Sequence, residues 1–350
     1  MYEALSAIIE NLTVFGPIII LFYLVNLAER SRTPEHPREG KEFALVLYML
    51  MALSFAIVFL LGLIAHFQGE QLAHTLQGIY SKRLTNHFAG QHAAIGMSLW
   101  IPSLIGMLVF IPSLRRFLAG KLLPIDPAHR VHTMALSFSM VVWVQLFVTV
   151  AIGLGLINDA TAPNVAASYT FASIWSQNIL FALLAFIGTG WLTRRDGKEV
   201  LERLGMRPLT LKQVLAGIGI GAALTLFPAL MTWVETLLGP IVDQNANDLT
   251  TKLLGPLFDS IPGVLTLGLA AALGEELIFR GALLPRFGIV YTSVLFALVH
   301  TNYGLSLSTL MIFFVALVLA YARLRVNTTL SMVIHATYNI TLGLLYMLAG

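Results

Sequence analysis

The chain has 350 residues, of which 57% are hydrophobic and 11% charged, and its mean hydropathy is +0.81. Soluble domains carry about 25% charged residues, so an ordinary soluble domain, a disordered chain and a soluble nucleic-acid binder are excluded, and an all-α polytopic membrane protein remains. Cysteine is absent, which removes disulfides, thiolate nucleophiles and Cys-ligated zinc. The net charge of +3 matters less here than where the cations fall.

At roughly 20 residues per span, this length accommodates about ten transmembrane helices. Apolar runs bounded by charge occur at 12–28, 43–67, 94–114, 134–157, 171–192, 213–238, 261–284, 288–303, 305–322 and 329–347. The first ten residues carry Glu3 and Glu10 and no cationic region, so the first run is expected to be a retained span and not a cleaved signal. Between Gln71 and Phe88, the spacing of Leu72, Leu76, Ile79, Leu84 and Phe88 predicts a helix lying on the outer interface, with a plain connecting loop as the alternative. The basic stretch 193–212, which contains Gly205 and Pro208, divides the chain into an accessory region, 1–204, and a five-helix module, 205–350. Gly217, Gly219 and Gly221 read as a close-approach face.

When loops are assigned alternately to two sides, all of the 21 basic residues except Lys82, Arg83 and Lys252 fall on one side. By the positive-inside rule, both ends of the chain then lie outside the cytoplasm. No internal repeat is evident, which weighs against a transporter built of duplicated halves.

An ionisable group at bilayer depth costs on the order of 3 kcal/mol, so those inside spans are the first candidates for function. They are Glu275, Glu276, Arg280, His300 and His335, all within the last 76 residues. A turn near Arg286 to Gly288, with Pro285 helping to end the incoming helix, puts Glu275 12 residues before Phe287 and His300 13 after it. On antiparallel helices both then sit roughly 18 to 20 Å from the turn. His335 and Asn339 share one face of the last helix, roughly 12 to 18 Å in from the same side. A carboxylate, two imidazoles and a carboxamide can therefore meet in one cavity.

Glu276 and Arg280 have the spacing of an intrahelical ion pair. Glu275, about 100° around the helix from Glu276, is free for another role. Singly, an intramembrane His or Asn is most simply an interhelical hydrogen-bond partner, the Glu276–Arg280 pair structural, and Phe296 a packing residue. The conjunction on three helices at comparable depth is what points to a site. HExxH, GxGD and GxSG strings are absent, as is an intramembrane Asp for an aspartyl dyad.

The strings Glu275-Glu276-Leu277-Ile278-Phe279-Arg280, Phe296-Ala297-Leu298-Val299-His300 and His335-Ala336-Thr337-Tyr338-Asn339 resemble, in order, the EExxxR, FxxxH and HxxxN motifs of the CAAX protease and bacteriocin-processing (CPBP, or Abi) family of intramembrane endopeptidases. The resemblance covers roughly residues 205 to 347; the first five helices lie outside it. It implies that Glu275, with His300, activates a water, that His335 and Asn339 donate hydrogen bonds to the tetrahedral oxyanion, and that Glu276, Arg280 and Phe296 support the site or contact substrate. The substrate would be a membrane-tethered or membrane-inserted peptide or protein, prenylated or not, cut near the cytoplasmic face of a prokaryotic plasma membrane, with no nucleic acid and no cofactor. A zinc ion held by Glu275, His300 and His335 stays open, because one Glu and two His also make a catalytic ligand set. The alternatives are a non-catalytic peptide-binding or bacteriocin-immunity protein and a proton-coupled transporter.

Overall fold

A computed structural model describes residues 2–33, 35–161, 165–238 and 244–349. Among them the chain is 84% helical without a strand, in the order α1 (Tyr2–Arg30), α2 (Lys41–Leu76), α3 (Lys82–Leu108), α4 (Pro112–Lys121), α5 (Arg130–Phe138), α6 (Met140–Ile152), α7 (Leu154–Ala160), α8 (Ala167–Thr189), α9 (Gly197–Leu204), α10 (Leu211–Leu224), α11 (Leu226–Leu238), α12 (Gln244–Phe258), α13 (Ile261–Glu276), a π-helical turn (Leu277–Leu283), α14 (Leu284–Leu298), a 3-10 turn (Thr301–Tyr303), α15 (Leu307–Arg325) and α16 (Thr328–Ala349).

Local sequence accounts for many of these boundaries. Asp196 and Glu199 form a capping box on α9, and Thr210 and Gln213 form one on α10, each satisfying two backbone donors that a helix start leaves free. Ser81, Ser260 and Ser306 cap α3, α13 and α15. Gly205 ends α9 at φ 72°, a conformation that costs glycine nothing.

The protein is a multi-pass membrane protein. Among the described residues, eight helices are long and apolar enough to span a bilayer, or up to nine if α3 and α4, bent by 92°, form one span. The expected ten differ in two ways. The run 94–114 falls within that bent pair, and the runs 261–284 and 288–303 belong to one helical stretch, Ile261–Leu298. That stretch nevertheless folds back on itself. Gly288 breaks it at φ 74°, ψ 171°, and Phe279 then meets Phe296 edge to face at 5.2 Å. The break thus falls within the expected turn, Arg286 to Gly288, and Pro285 stands three residues before it. That proline sits in the first turn of α14, where its missing N–H is harmless.

The predicted interfacial helix is also absent. Leu72 and Leu76 continue α2, and Leu84 and Phe88 belong to α3. These two long helices pack closely because a Cβ on Gly62 or Gly96 would strike the opposite backbone, Trp100 N at 2.7 Å and His66 N at 2.5 Å. On α10, Gly217 and Gly221 sit against Val333 and the Ile334 carbonyl of α16, as expected of a close-approach face, whereas Gly219 has nothing within 4 Å.

The hairpin Ile261–Leu298 is the most interior of the candidate spans: half of its most apolar window is buried, against 33% or less for the others. It packs on α8 and α9 through Ala185, Val200, Leu204 and Leu277, and on α15 through Phe279, Phe296 and Ala316. Leu319 of α15 and Ile334 of α16 share a further core cluster. Apolar side chains at the periphery, such as Leu50, Leu53, Leu60 and Leu61 on α2, are exposed, as lipid-facing positions of a spanning helix are.

Candidate active site

The site forms where the ordinary helical ladder of the central hairpin fails. Directly after Glu276 the chain widens into the π-helical turn Leu277–Leu283, a departure found often at functional sites. Arg203 of α9 donates to two carbonyls of this turn, Gly281 at 3.1 Å and Ala282 at 3.3 Å. Close packing does the rest. A Cβ on Gly274 would lie 2.5 Å from Asn178 Oδ1 and 2.6 Å from its carbonyl oxygen, and one on Gly281 would lie 2.9 Å from Leu204 Cδ2.

Glu276 is the centre of the buried polar group. It has no exposed surface, and Arg280 and His335 are exposed by only 1% and 5%. His335 Nδ1 lies 2.9 Å from Glu276 Oε1, and Arg280 Nη1 lies 3.1 Å from the same oxygen. The spacing-based ion pair is therefore present, with His335 of α16 as a third member. The pair is a charge contact without hydrogen-bond alignment, since Arg280 Nη1 has no hydrogen-bond partner and Glu276 Oε2 also has none. Arg280 Nη2 donates to the Ala316 carbonyl at 3.3 Å.

Phe296 joins the three motifs. Its ring lies 4.0 Å from Arg280 Cζ, 5.1 Å from the His300 ring and 5.9 Å from the His335 ring. The guanidinium thus sits on the negative face of a ring, an attraction that strengthens out of water. His300 follows the last residues of α14, and its Nδ1 lies 2.8 Å from the Phe296 carbonyl oxygen. A carbonyl only accepts, so this contact puts the proton on Nδ1 and leaves Nε2 with a lone pair.

Glu276, Arg280, Phe296, His300 and His335 are thus brought into one connected group. Glu275 is partly exposed, but its Oε2 is buried and unpartnered. Asn339, one turn beyond His335 on α16, is half-buried. As for a metal, no three His, Cys, Asp or Glu side chains among the described residues are grouped to hold an ion. His335 Nδ1 is engaged with Glu276 and His300 Nδ1 with a carbonyl. Both rings keep Nε2 for another partner, but Glu275, His300 and His335 are not grouped as a ligand set among the described residues, and the chemistry below is derived from side chains and water.

Sequence reasoning missed a second buried polar group, in the accessory helices. Glu29 accepts from the Arg130 backbone N–H at 3.0 Å and pairs with Arg32 at 3.1 Å. Asn26 accepts from Arg194 Nη2 at 2.7 Å. The cations there read as topology signals in the sequence, because nothing in the pattern paired them with Glu29 at the end of α1.

Comparisons with known proteins agree with the motifs. An uncharacterized 24.3 kDa protein of Escherichia coli is 35% identical over 124 residues, 31% of this chain and 56% of the relative. The chain thus spans a little over half the length of that curated relative. No solved structure is found to be similar. Residues 257–341, which hold all three motifs and run from the central hairpin through α15 into α16, match the family of type II CAAX prenyl endopeptidase Rce1-like proteins.

Proposed function

We propose that this chain is an intramembrane endopeptidase that uses a water activated by Glu275 and His300 to hydrolyse a peptide bond of a membrane-tethered or membrane-inserted substrate near the cytoplasmic face. In this reading 205–350 is the proteolytic module and 1–204 the accessory region on which it is built. The observation that carries it is the contrast between the adjacent acids. Each acid keeps a buried Oε2 without a partner, but Glu276 is held through Oε1 by Arg280 and His335, whereas Glu275 forms no ion pair among the described residues. An unsatisfied buried oxygen costs about 1–3 kcal/mol, and such groups are retained where chemistry uses them.

Water between Glu275 and His300 gives its proton to one of them as its oxygen attacks the substrate carbonyl carbon. His300 suits this role because its Nε2 is the free acceptor. Negative charge then develops on the carbonyl oxygen, where the Asn339 amide donates. His335 donates there only through Nε2, because Glu276 holds its Nδ1. That donation needs a proton on Nε2 as well as the one shared with Glu276 at Nδ1. When the tetrahedral adduct collapses, the C–N bond breaks and the leaving nitrogen takes up the proton removed from water. The products are a carboxylic acid and an amine, which ionise to carboxylate and ammonium as the acid's proton passes to the amine or to water, with no net consumption of enzyme groups.

The purified protein in liposomes is expected to cleave a membrane-tethered peptide, and Glu275→Gln and His300→Ala to abolish cleavage while elution and melting stay as in the parent. Loss of one oxyanion donor, as in Asn339→Ala, is expected to lower the rate about 10²- to 10³-fold. Binding of the peptide without cleavage by the parent protein would replace this reading with a binding function.

A further inference from the structure

A cavity of about 500 Å³ lies between the accessory helices and the central hairpin, and none of Glu275, Glu276, Arg280, His300, His335 or Asn339 lines it. Its walls come from α1, α5, α6 and α8 on one side, with Phe22, Phe138 and Phe181, and from the π turn and α14 on the other, with Phe279, Leu283 and Leu295. The body is apolar. One end is not: His129, His132, Arg194, Arg195, Arg203 and Arg286 gather there. A second, polar cavity of about 750 Å³, lined by Glu29, Arg30, Arg32 and Asp126 among others, shares His129 and Arg194 with it.

Among the described residues none of the four arginines has a carboxylate oxygen within 4.0 Å, although Glu29 acts on Arg194 and Glu199 on Arg195 from farther off. Arg194 donates to Asn26 Oδ1 and Arg195 to the Thr189 carbonyl, while Arg203 donates to Gly281 and Ala282. All of these acceptors are neutral. Arg286 Nε is buried with no partner at all. Burial, and then the neighbouring guanidiniums, push Arg194 and Arg203 down to about 10, so both stay cationic at neutral pH and repel each other. The ring of His129, stacked on His132 at 4.0 Å, is pushed down to about 2, chiefly by burial. Glu29 is near, at 3.7 Å from His129 Nε2, but it already serves Arg32 and the Arg130 amide.

From the pairing of an apolar chamber with a guanidinium cluster at one end, we infer that this cavity binds a membrane phospholipid with an anionic headgroup, its phosphate on Arg195 and Arg286 and an acyl chain in the apolar body. The guanidinium fork matches phosphate oxygens, and basic pockets between transmembrane helices take anionic headgroups. A free phosphate makes no use of the apolar walls. The adjoining polar cavity gives the rest of the headgroup a place in water. Arg286 sits four residues beyond Ala282, on the hairpin that carries the π turn, so the lipid would also brace the far wall of the candidate active site.

The test is lipid retention by the full chain, read by native mass spectrometry after reconstitution in equal phosphatidylglycerol and phosphatidylcholine. Phosphatidylglycerol is expected to be retained preferentially. Arg286→Gln should weaken that retention about fivefold, in line with roughly 1 kcal/mol per surface cation, and Arg286→Gln with Arg195→Gln should weaken it further. Arg286→Lys, which keeps the charge, should restore most of it. Unchanged melting temperatures establish that the variants fold. The inference is overturned if the two lipids are retained equally, or if the double variant keeps the parent's preference. It is also overturned if inorganic phosphate alone displaces the bound lipid, which would make the site one for a free anion, or if a peptide with a free carboxylate displaces it, which would assign the cavity to substrate.

Discussion

Glu276→Gln separates the structural acid of the pair from the chemical one. The substitution keeps the side chain's shape, and its amide oxygen can still accept from His335. What it removes is the charge opposite Arg280, a guanidinium with 1% exposure whose other contacts are a 3.3 Å bond to the Ala316 carbonyl and the Phe296 ring at 4.0 Å. Removing one partner of a buried ion pair leaves an uncompensated charge and costs about 3–5 kcal/mol, a shift of roughly 150- to 4,000-fold in the folding equilibrium. Glu275→Gln breaks no ion pair within 4.0 Å among the described residues and is expected to stay within about 1 kcal/mol of the parent. Unfolding in detergent, followed for both variants and for Glu276→Gln with Arg280→Met, checks this. The double variant should recover most of the lost stability, because contacting residues in one network are non-additive. If Glu276→Gln melts with the parent, or if the double variant is as destabilised as the two single changes summed, the ion pair does not hold the hairpin and the division of roles between the acids is wrong.

Other expectations follow from the same geometry. Gly274→Ala forces a methyl into Asn178, an overpacking worth about 1–3 kcal/mol that also displaces the adjacent acids. Lowered activity and melting are expected, and Asn178→Ala should not rescue them, because the obstructing carbonyl oxygen remains. Arg203→Ala uncovers the Gly281 and Ala282 carbonyls and should speed hydrogen exchange in the π turn before it affects the rest of the hairpin. His129 has its folded pKa pushed down to about 2, against about 6.5 unfolded. Between these values the unfolded chain binds the extra proton, so this residue makes stability fall as pH drops below about 6.5. His129→Gln should flatten that part of a melting-versus-pH curve; an unchanged slope would mean that the buried ring does not resist protonation.

The spans were legible because lipid-facing helices are apolar along their length, and the motif residues were legible because charge inside such runs is costly. The i, i+4 spacing of Glu276 and Arg280 correctly signalled their contact. It gave no sign that His335, 59 residues away, bonds to the same oxygen, since that depends on how α16 packs against the hairpin. Nor does hydrophobic periodicity encode a π turn, because a widened turn changes the register of only a few residues. Gly219 was grouped with Gly217 and Gly221 by composition alone, yet only residues four apart share the face that meets α16. The long α2–α3 pair was hidden by the polar residues between 68 and 92, which sit in the extended ends of both helices.

The most direct test of the proposed chemistry is mass spectrometry of a tethered peptide incubated with the reconstituted protein in water enriched in oxygen-18. The account predicts one heavy oxygen in the newly formed carboxyl group of the product made by the parent protein, and no product from folded Glu275→Gln. Cleavage by folded Glu275→Gln at the parent's rate would contradict it.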